Sequence, residues 1–508
     1  MPSGTSKATR REWVALSVLA LPCLVYTTDI TALDVALPTI STALQPSSTQ
    51  LLWLVDIYGF MMAAFLITMG TIGDRIGRRK LLLLGAVCFV LISGAASMTT
   101  SLNLLIVLRA LLGIAAATLA PSTMALLRNM FHDDAERQLA IGVWIASISS
   151  GGVLGALAGG FLLKFFPWNF VFLIPIPPMI LLLILGPRLL PEFRDTNAGR
   201  PDIPSVVMSL ACLLPVIQGL KLIAANGFGA LPLAMATTGI LVGVGFVRRQ
   251  KQLAYPMVDL SLFRQPEFTA AITAYGLSCF AMFGLYVLVA QYLQLVMALT
   301  PWEAGMATAP CALASAVGSL AAPSLAGRFQ MRSVLVGGLV TAIVGFLLLP
   351  ASVGRLGLTG LVASTVLFSL GLASVFTIAY EIIVTSAPPA RSGAAAAIAE
   401  TVSELSGSLG IAFLGSLSAA IYRHLLFASL PNDLPQATAE KAAATIGGAI
   451  ATAATLPTPI GEALLASARS AFSTAMQVAS LAAAVAISIA CWVAVRAWRR
   501  CPVNSNGG

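Results

Sequence analysis

Seven ionisable side chains stand inside long apolar runs of this chain: Asp29, Asp34, Asp56, Arg109, Glu381, Glu400 and Glu404. A charge in hydrocarbon costs about 2.5–3.5 kcal/mol even on insertion scales, so such a residue faces a partner or a polar cavity. Six of the seven are acids. Carboxylates buried beside one guanidinium can form an ion pair, take up and release protons, or attract cations. At a helical rise of about 1.5 Å per residue, Asp56 (counted from Gln50) and Arg109 (counted from Asn103) both lie about 9 Å below the same face, with Asp29 slightly deeper. One guanidinium cannot neutralise two carboxylates, which leaves one of Asp29 and Asp56 as a candidate proton site; an Asp/Arg pair serving only as structural glue is the alternative. Glu400 and Glu404 are one helical turn apart on one face and enter from the opposite side, with Glu404 about 15 Å in, near the midplane. Glu381 sits near the inner end of the preceding run, beside the turn Ala387–Gly393, and is either a cavity acid or an interfacial one.

The elements that must position these charges are membrane spans. Of 508 residues, 58% are hydrophobic and 10% charged, with mean hydropathy +0.91; a soluble globular protein is about one quarter charged. Apolar runs long enough to cross about 30 Å of hydrocarbon recur along the chain. They fall near 13–36, 51–72, 81–99, 103–127, 138–163, 168–189, 203–223, 230–247, 268–295, 304–326, 333–352, 358–385, 394–421 and 468–497. The expected fold is an all-α membrane protein of 14 transmembrane helices, with the first run a retained span and not a cleaved signal. A soluble enzyme is excluded, because no polar stretch is long enough for a catalytic domain. The seven cysteines are odd in number and lack metal-ligand spacing, His132 and His424 lie in loops, and no G-x-x-x-x-G-K-[ST] phosphate loop occurs. Neither a metal nor a cofactor is expected, and ATP coupling within the chain is unsupported.

The net charge of +9 reads as topology before nucleic-acid binding. With both termini cytoplasmic, 22 of the 29 Lys and Arg fall in inside segments and six outside, with Arg109 within a span; this is the asymmetry of the positive-inside rule. The runs group as six, two and six. The expected organisation is a six-helix bundle over 1–190, two inserted helices with cytoplasmic linkers over 191–255, and a second six-helix bundle over 256–508 with an external hairpin or loop at about 423–467. An internal duplication is suggested by two equivalent loops, Gly70-Thr-Ile-Gly-Asp-Arg-Ile-Gly-Arg-Arg-Lys80 and Ser324-Leu-Ala-Gly-Arg-Phe-Gln-Met-Arg332. Paired repeats of this kind build a central cavity open to alternate sides.

The first of these loops, with Gly70, Gly73, Asp74, Arg75, Gly77 and Arg78, resembles the GxLaDRxGRKxxL motif of the major facilitator superfamily. Asp29–Pro38 is similar to the DxTxxNVALP pattern of its 14-span drug:proton antiporters, and Trp53–Tyr58 to the WxVDxY stretch of QacA/SmvA-like quaternary-ammonium exporters. Leu105 through Arg109 to Gly113 matches LxxxRxxxG. Gly151–Gly160, with Gly151, Gly155, Gly159 and Gly160, matches the antiporter motif GxxxGPxxGG, although Ala156 stands at the proline and Asp34 replaces an asparagine. The resemblance covers nearly the whole chain and implies the major facilitator fold, two six-helix bundles plus two inserted helices.

It also implies proton-coupled antiport that exports lipophilic cationic drugs, dyes and quaternary ammonium biocides across the cytoplasmic membrane, driven by the proton gradient and without a cofactor. The expected partners are lipophilic cations, protons and the lipid bilayer, with no nucleic acid and no obligate protein partner. Asp29, Asp56 and Glu404 are the candidate proton-coupling acids. Substrate contact is expected from these with Asp34, Glu381 and Glu400, and from Trp53, Tyr58, Trp144, Phe283 and Tyr286, whose rings can attract a cation. Arg109 and Gly113 are expected to relay charge or hold structure, and the Gly70–Arg78 loop to gate. A proton-coupled exporter or symporter of a neutral or anionic metabolite is the alternative, disfavoured by the excess of embedded acids.

Overall fold

The computed structural model describes residues 7–44, 48–194, 202–226, 229–253, 256, 258, 260–388, 392–429 and 436–499. Among them every regular element is helical: α1 (Arg10–Leu44), α2 (Ser48–Ile76), α3 (Arg78–Met98), α4 (Leu102–Ala116), α5 (Leu119–Met130), α6 (Asp134–Phe165), α7 (Ile176–Leu189), α8 (Ile203–Asn226), α9 (Ala230–Gln252), α10 (Pro266–Gln291), α11 (Pro301–Phe329), α12 (Met331–Ala351), α13 (Gly357–Thr385), α14 (Ser392–Ser429), α15 (Gln436–Ala444), α16 (Ile446–Ala453) and α17 (Thr458–Arg499). Only internally bonded backbone can cross hydrocarbon, which is why apolar runs of this length fold as helices.

Each of the fourteen expected runs coincides with helix. Among the described residues twelve helices are long and apolar enough to cross a membrane, and α2 is a thirteenth if its two parts, Ile57–Leu66 and Thr68–Ile76, bent by 52°, form one span. In α8 the apolar stretch is the shorter Pro204–Val216, so the described residues give twelve or thirteen plain spans where the sequence suggests fourteen. One span is broken in a readable way: α4 stops at Ala116 and α5 resumes at Leu119. Pro121 offers no N–H to the preceding turn and its ring crowds the carbonyl four residues back.

Start signals sit where polar residues meet apolar ones. Asp133 caps α6, accepting from the Ala135 and Glu136 amides at 3.1 and 3.0 Å. Thr300 and Glu303 form a capping box with Pro301 in the first turn of α11.

Helices α1 to α7 pack as one half, and α10 to α14 with α17 as the other. The halves meet where α2 and α5 pack on α14, and where α6 packs on α11 and α13. Helices α8 and α9 pair with each other, and α8 also touches α2 and α14. At one end of that pair Arg249 donates to Asp202 through Nε (2.7 Å) and Nη2 (2.8 Å). These bonds, with one from Ser205, push the Asp202 carboxyl down to about 2. Helices α15 and α16 fold back on the second half, with the Tyr422 hydroxyl donating to the Ala442 carbonyl at 3.0 Å.

The two repeat loops share a backbone conformation. Gly77, between α2 and α3, has φ 113° and ψ 134°; Gln330, between α11 and α12, has φ 69° and ψ 145°. Glycine enters this region freely, and glutamine does so only under strain.

Candidate functional site

Glycines bring α1 and α6 into backbone contact. A Cβ at Gly151 would meet Thr27 and the Leu24 carbonyl, one at Gly155 would meet Thr31 and the Thr28 carbonyl, and one at Gly159 would press on Ala32. Small residues spaced by four make such close crossings possible. Thr27 and Thr28 hydroxyls complete the seam by donating to the Ile148 and Gly151 carbonyls at 2.8 and 2.9 Å. Gly160 faces open space. Ala156 is exposed and α6 runs unbroken through it, so the helix crosses this seam without the motif proline.

This seam sets the depth of α1, and with it Asp29, which is ion-paired to Arg109 of α4. Both side chains are almost fully buried, at 2% and 1% exposure. The guanidinium carbon also lies 4.5 Å from the centroid of the Tyr58 ring, a cation-to-ring contact. Gly113, one turn beyond Arg109, lets α4 approach α2, since a Cβ there would run into the Tyr58 carbonyl. Among the described residues Asp29 is the acid paired with Arg109. The Asp56 side chain lies outside the described residues. Asp34 is exposed, within electrostatic reach of Tyr286 on α10.

Between the halves is a partly open cavity. Helices α1, α6, α10, α11, α13 and α14 all contribute to its wall. Five rings line it, those of Tyr26, Trp144, Tyr275, Phe283 and Phe376, together with one carboxylate, Glu400. The Trp144 indole N–H is satisfied by the Thr123 hydroxyl at 3.0 Å. Glu400 accepts from the Tyr380 hydroxyl at 3.0 Å.

Of the five aromatics singled out in the sequence, Trp144 and Phe283 line the cavity. Trp53 instead stands edge-on to Phe60 at 6.2 Å, Tyr58 lies under Arg109, and Tyr286 is 56% exposed. Glu404 is half-buried on the α14 seam with α2, its Oε2 3.8 Å from where a Cβ of Gly59 would stand. The cavity lining includes Glu400 one turn away and not Glu404. Tyr26, Tyr275, Phe376 and Tyr380 were not anticipated. The available signal was a tyrosine mid-run, whose hydroxyl needs a partner once buried.

At the end of the bundle that carries the arginine-rich loops the halves are tied together. Arg137 at the start of α6 donates through Nε to Glu381 Oε1 at 2.8 Å, and the Glu381 side chain is fully buried. Arg128 donates to the Val384 and Ala387 carbonyls, the latter at 2.8 Å, where α13 ends and its carbonyls lack helical partners. Gly142 of α6 lies against the Ser319 carbonyl of α11. Glu381, expected among the substrate-contacting acids, is thus held in an ion pair between halves and is absent from the cavity wall.

The Gly70–Lys80 loop sits at the same end. Asp74 is ion-paired with a fully buried Arg78, and Gly73 leaves room for that guanidinium. Gly70 is buried in α2 and Arg75 is exposed. The segment after α7 docks on this turn: Arg78 N–H donates to the Phe193 carbonyl at 2.8 Å, and Arg79 N–H to Glu192 Oε1 at 3.1 Å. Among the described residues no cluster of His, Cys, Asp or Glu could hold a metal ion.

Two helical halves around a shared cavity, with matching loops at one end, define a membrane protein of the transporter type, and its sequence relatives agree. Residues 19–411 match the Major Facilitator Superfamily. The chain belongs to that family. It is 42% identical over 500 residues to the multidrug efflux pump LfrA of Mycolicibacterium smegmatis, spanning 98% of this chain and 99% of that one. It is 34% identical over 471 residues to the methyl viologen resistance protein SmvA of Salmonella typhimurium, spanning 91% and 93%. Among solved structures, a bacterial homologue of the human lysosomal transporter Spinster, inward-facing and unoccupied, shares the fold at TM-score 0.60 and 19% identity, over 96% of this chain and 99% of that one. The human organic anion transporter MFSD10 does so at TM-score 0.60 and 15% identity, over 94% and 99%.

Proposed function

We propose that this protein exports lipophilic cations across the cytoplasmic membrane in exchange for protons, with the arginine-rich end and both termini in the cytoplasm. The observation that carries the reading is the cavity itself: five aromatic rings and the Glu400 carboxylate, drawn from both halves. Rings supply apolar area and a negative face to a cation, and a carboxylate in a low-dielectric wall supplies its counter-charge. The efflux and resistance named for LfrA and SmvA support the same reading.

In this mechanism proton and cation compete for carboxylates. With the cavity open to the outside, an acid takes a proton and the cation leaves. With it open inward, the proton leaves and the vacated carboxylate binds the next cation. Asp29, Asp56 and Glu404 are the proposed proton sites, with Glu400 the acid in contact with substrate. One half-cycle carries the proton inward and the other carries the cation outward, so the proton gradient drives export without ATP or a cofactor. Asp34, exposed near Tyr286, serves as an outer attractor for the cation. The test is ethidium transport by purified protein in proteoliposomes. Movement should follow an imposed proton gradient and be indifferent to ATP; transport that needs ATP would exclude the reading.

A further inference from the structure

Glu400 faces the cavity from α14, and what aims it there is a residue of another helix. Tyr380 of α13 is fully buried. Its ring lies between two others, 5.1 Å from Trp144 of α6 and 5.6 Å from Tyr275 of α10. Its hydroxyl donates to Glu400 Oε1 at 3.0 Å, which leaves Oε2 for a ligand. We infer that Tyr380 is a positioning residue that holds Glu400 as an open carboxylate facing the cavity, so that a lipophilic cation can take the place of a proton. The inference rests on the proposed reading of the cavity as a cation site.

The surroundings of Glu400 make this hydrogen bond decisive. The titratable groups that face it are Cys23 and Tyr26 from α1, Tyr275 and Cys279 from α10, Tyr380 from α13, and Glu404 on α14 itself. Among the described residues none of these is a cation. Asp29 has Arg109 and Glu381 has Arg137, whereas Glu400 has a phenol. A donor to the charged form favours that form, and a phenol does so without neutralising it, so the carboxylate keeps its charge for the substrate. An arginine in the same place would compete with every cation the cavity admits.

The clamp on Tyr380 comes from both halves, because Trp144 belongs to the first and Tyr275 to the second. The next residue, Glu381, is the one tied to Arg137. Separating the halves at the arginine-rich end would therefore release Glu381 and remove one face of the Tyr380 ring together.

The experiment is binding of tetraphenylphosphonium to the purified full chain between pH 5 and pH 9. Tyr380→Phe keeps the ring and its packing and removes only the hydroxyl. A hydrogen bond to a charged group is worth a factor of roughly ten or more, so the midpoint of the pH-dependent binding should move about one unit to higher pH. In a Glu400→Gln background the same substitution should change affinity by less than about twofold, because the pair is already broken. An unmoved midpoint, or the same loss from Tyr380→Phe with and without Glu400, overturns the role of Tyr380 while leaving the cation site intact. Wild-type protein that binds no tetraphenylphosphonium, or Glu400→Gln with unchanged pH dependence, overturns the cation site and the Tyr380 role with it.

Discussion

Arg137 and Glu381 are 244 positions apart in sequence and 2.8 Å apart in space, one from each half of the protein. The pair forms at the end where Arg128 also grips the last carbonyls of α13. The two halves are therefore tied together at the arginine-rich end, and in the proposed exchange cycle opening at that end would break these bonds.

Glu381→Gln removes the charge that Arg137 holds and keeps its shape. Losing one partner of a buried pair costs about 3–5 kcal/mol, and here the loss falls on one of two conformations. The variant should populate the state open at the arginine-rich end, seen as longer distances between spin labels on α6 and α13. Turnover should fall several-fold, as expected when one state of a two-state cycle is favoured. Unchanged distances would remove Glu381 from the gate.

Asp29→Asn leaves Arg109 buried without its counter-charge. Stability should drop by about 3 kcal/mol by the same reasoning, and gradient-driven efflux should fall at least tenfold. Replacing Arg109 as well should recover most of the melting temperature. Recovery of stability without recovery of efflux assigns Asp29 to proton coupling; recovery of both makes the pair structural.

The strained turn at Gln330 offers a prediction free of transport. Gln330→Gly relieves a backbone region that favours glycine, offset by the added freedom of the unfolded chain, for a net gain of about 1 kcal/mol. Gly77→Ala in the matching loop should destabilise, since φ is 113° there and the new Cβ meets the Glu192 carboxylate. Thermal melts in detergent read both.

The spans, the paired loops and the buried charges were legible because hydrocarbon leaves few alternatives to helix and few places for a charge. That Arg109 shares its depth with buried acids followed from span arithmetic, and the pairing with Asp29 came only from the fold, which brings α1 to α4. Which acid faces the cavity did not follow: Glu400 and Glu404 share a helix face in sequence, and only the approach of α2 at Gly59 separates the seam from the wall. Glu381 was equally opaque, because its partner comes from the far half of the chain. Tyr380 gave one signal, a hydroxyl in an apolar run, which ordinary packing produces as well.

Glu404, beside the wall and one turn from Glu400, is placed to serve a second charge. At an effective dielectric of about 20 a charge pair at 4 Å is worth about 4 kcal/mol before desolvation. Glu404→Gln should therefore weaken export of bis-quaternary and bipyridinium dications more than that of monovalent dyes. Equal loss for both classes in parallel efflux assays would assign Glu404 to the proton instead.

The most direct measurement of the whole account is ethidium flux in proteoliposomes carrying wild-type protein or Glu400→Gln, with a proton gradient imposed and then collapsed. Wild type should move ethidium against its gradient only while the proton gradient lasts, and Glu400→Gln should lose that movement almost entirely. Flux that persists after collapse, or that Glu400→Gln retains in full, would contradict it.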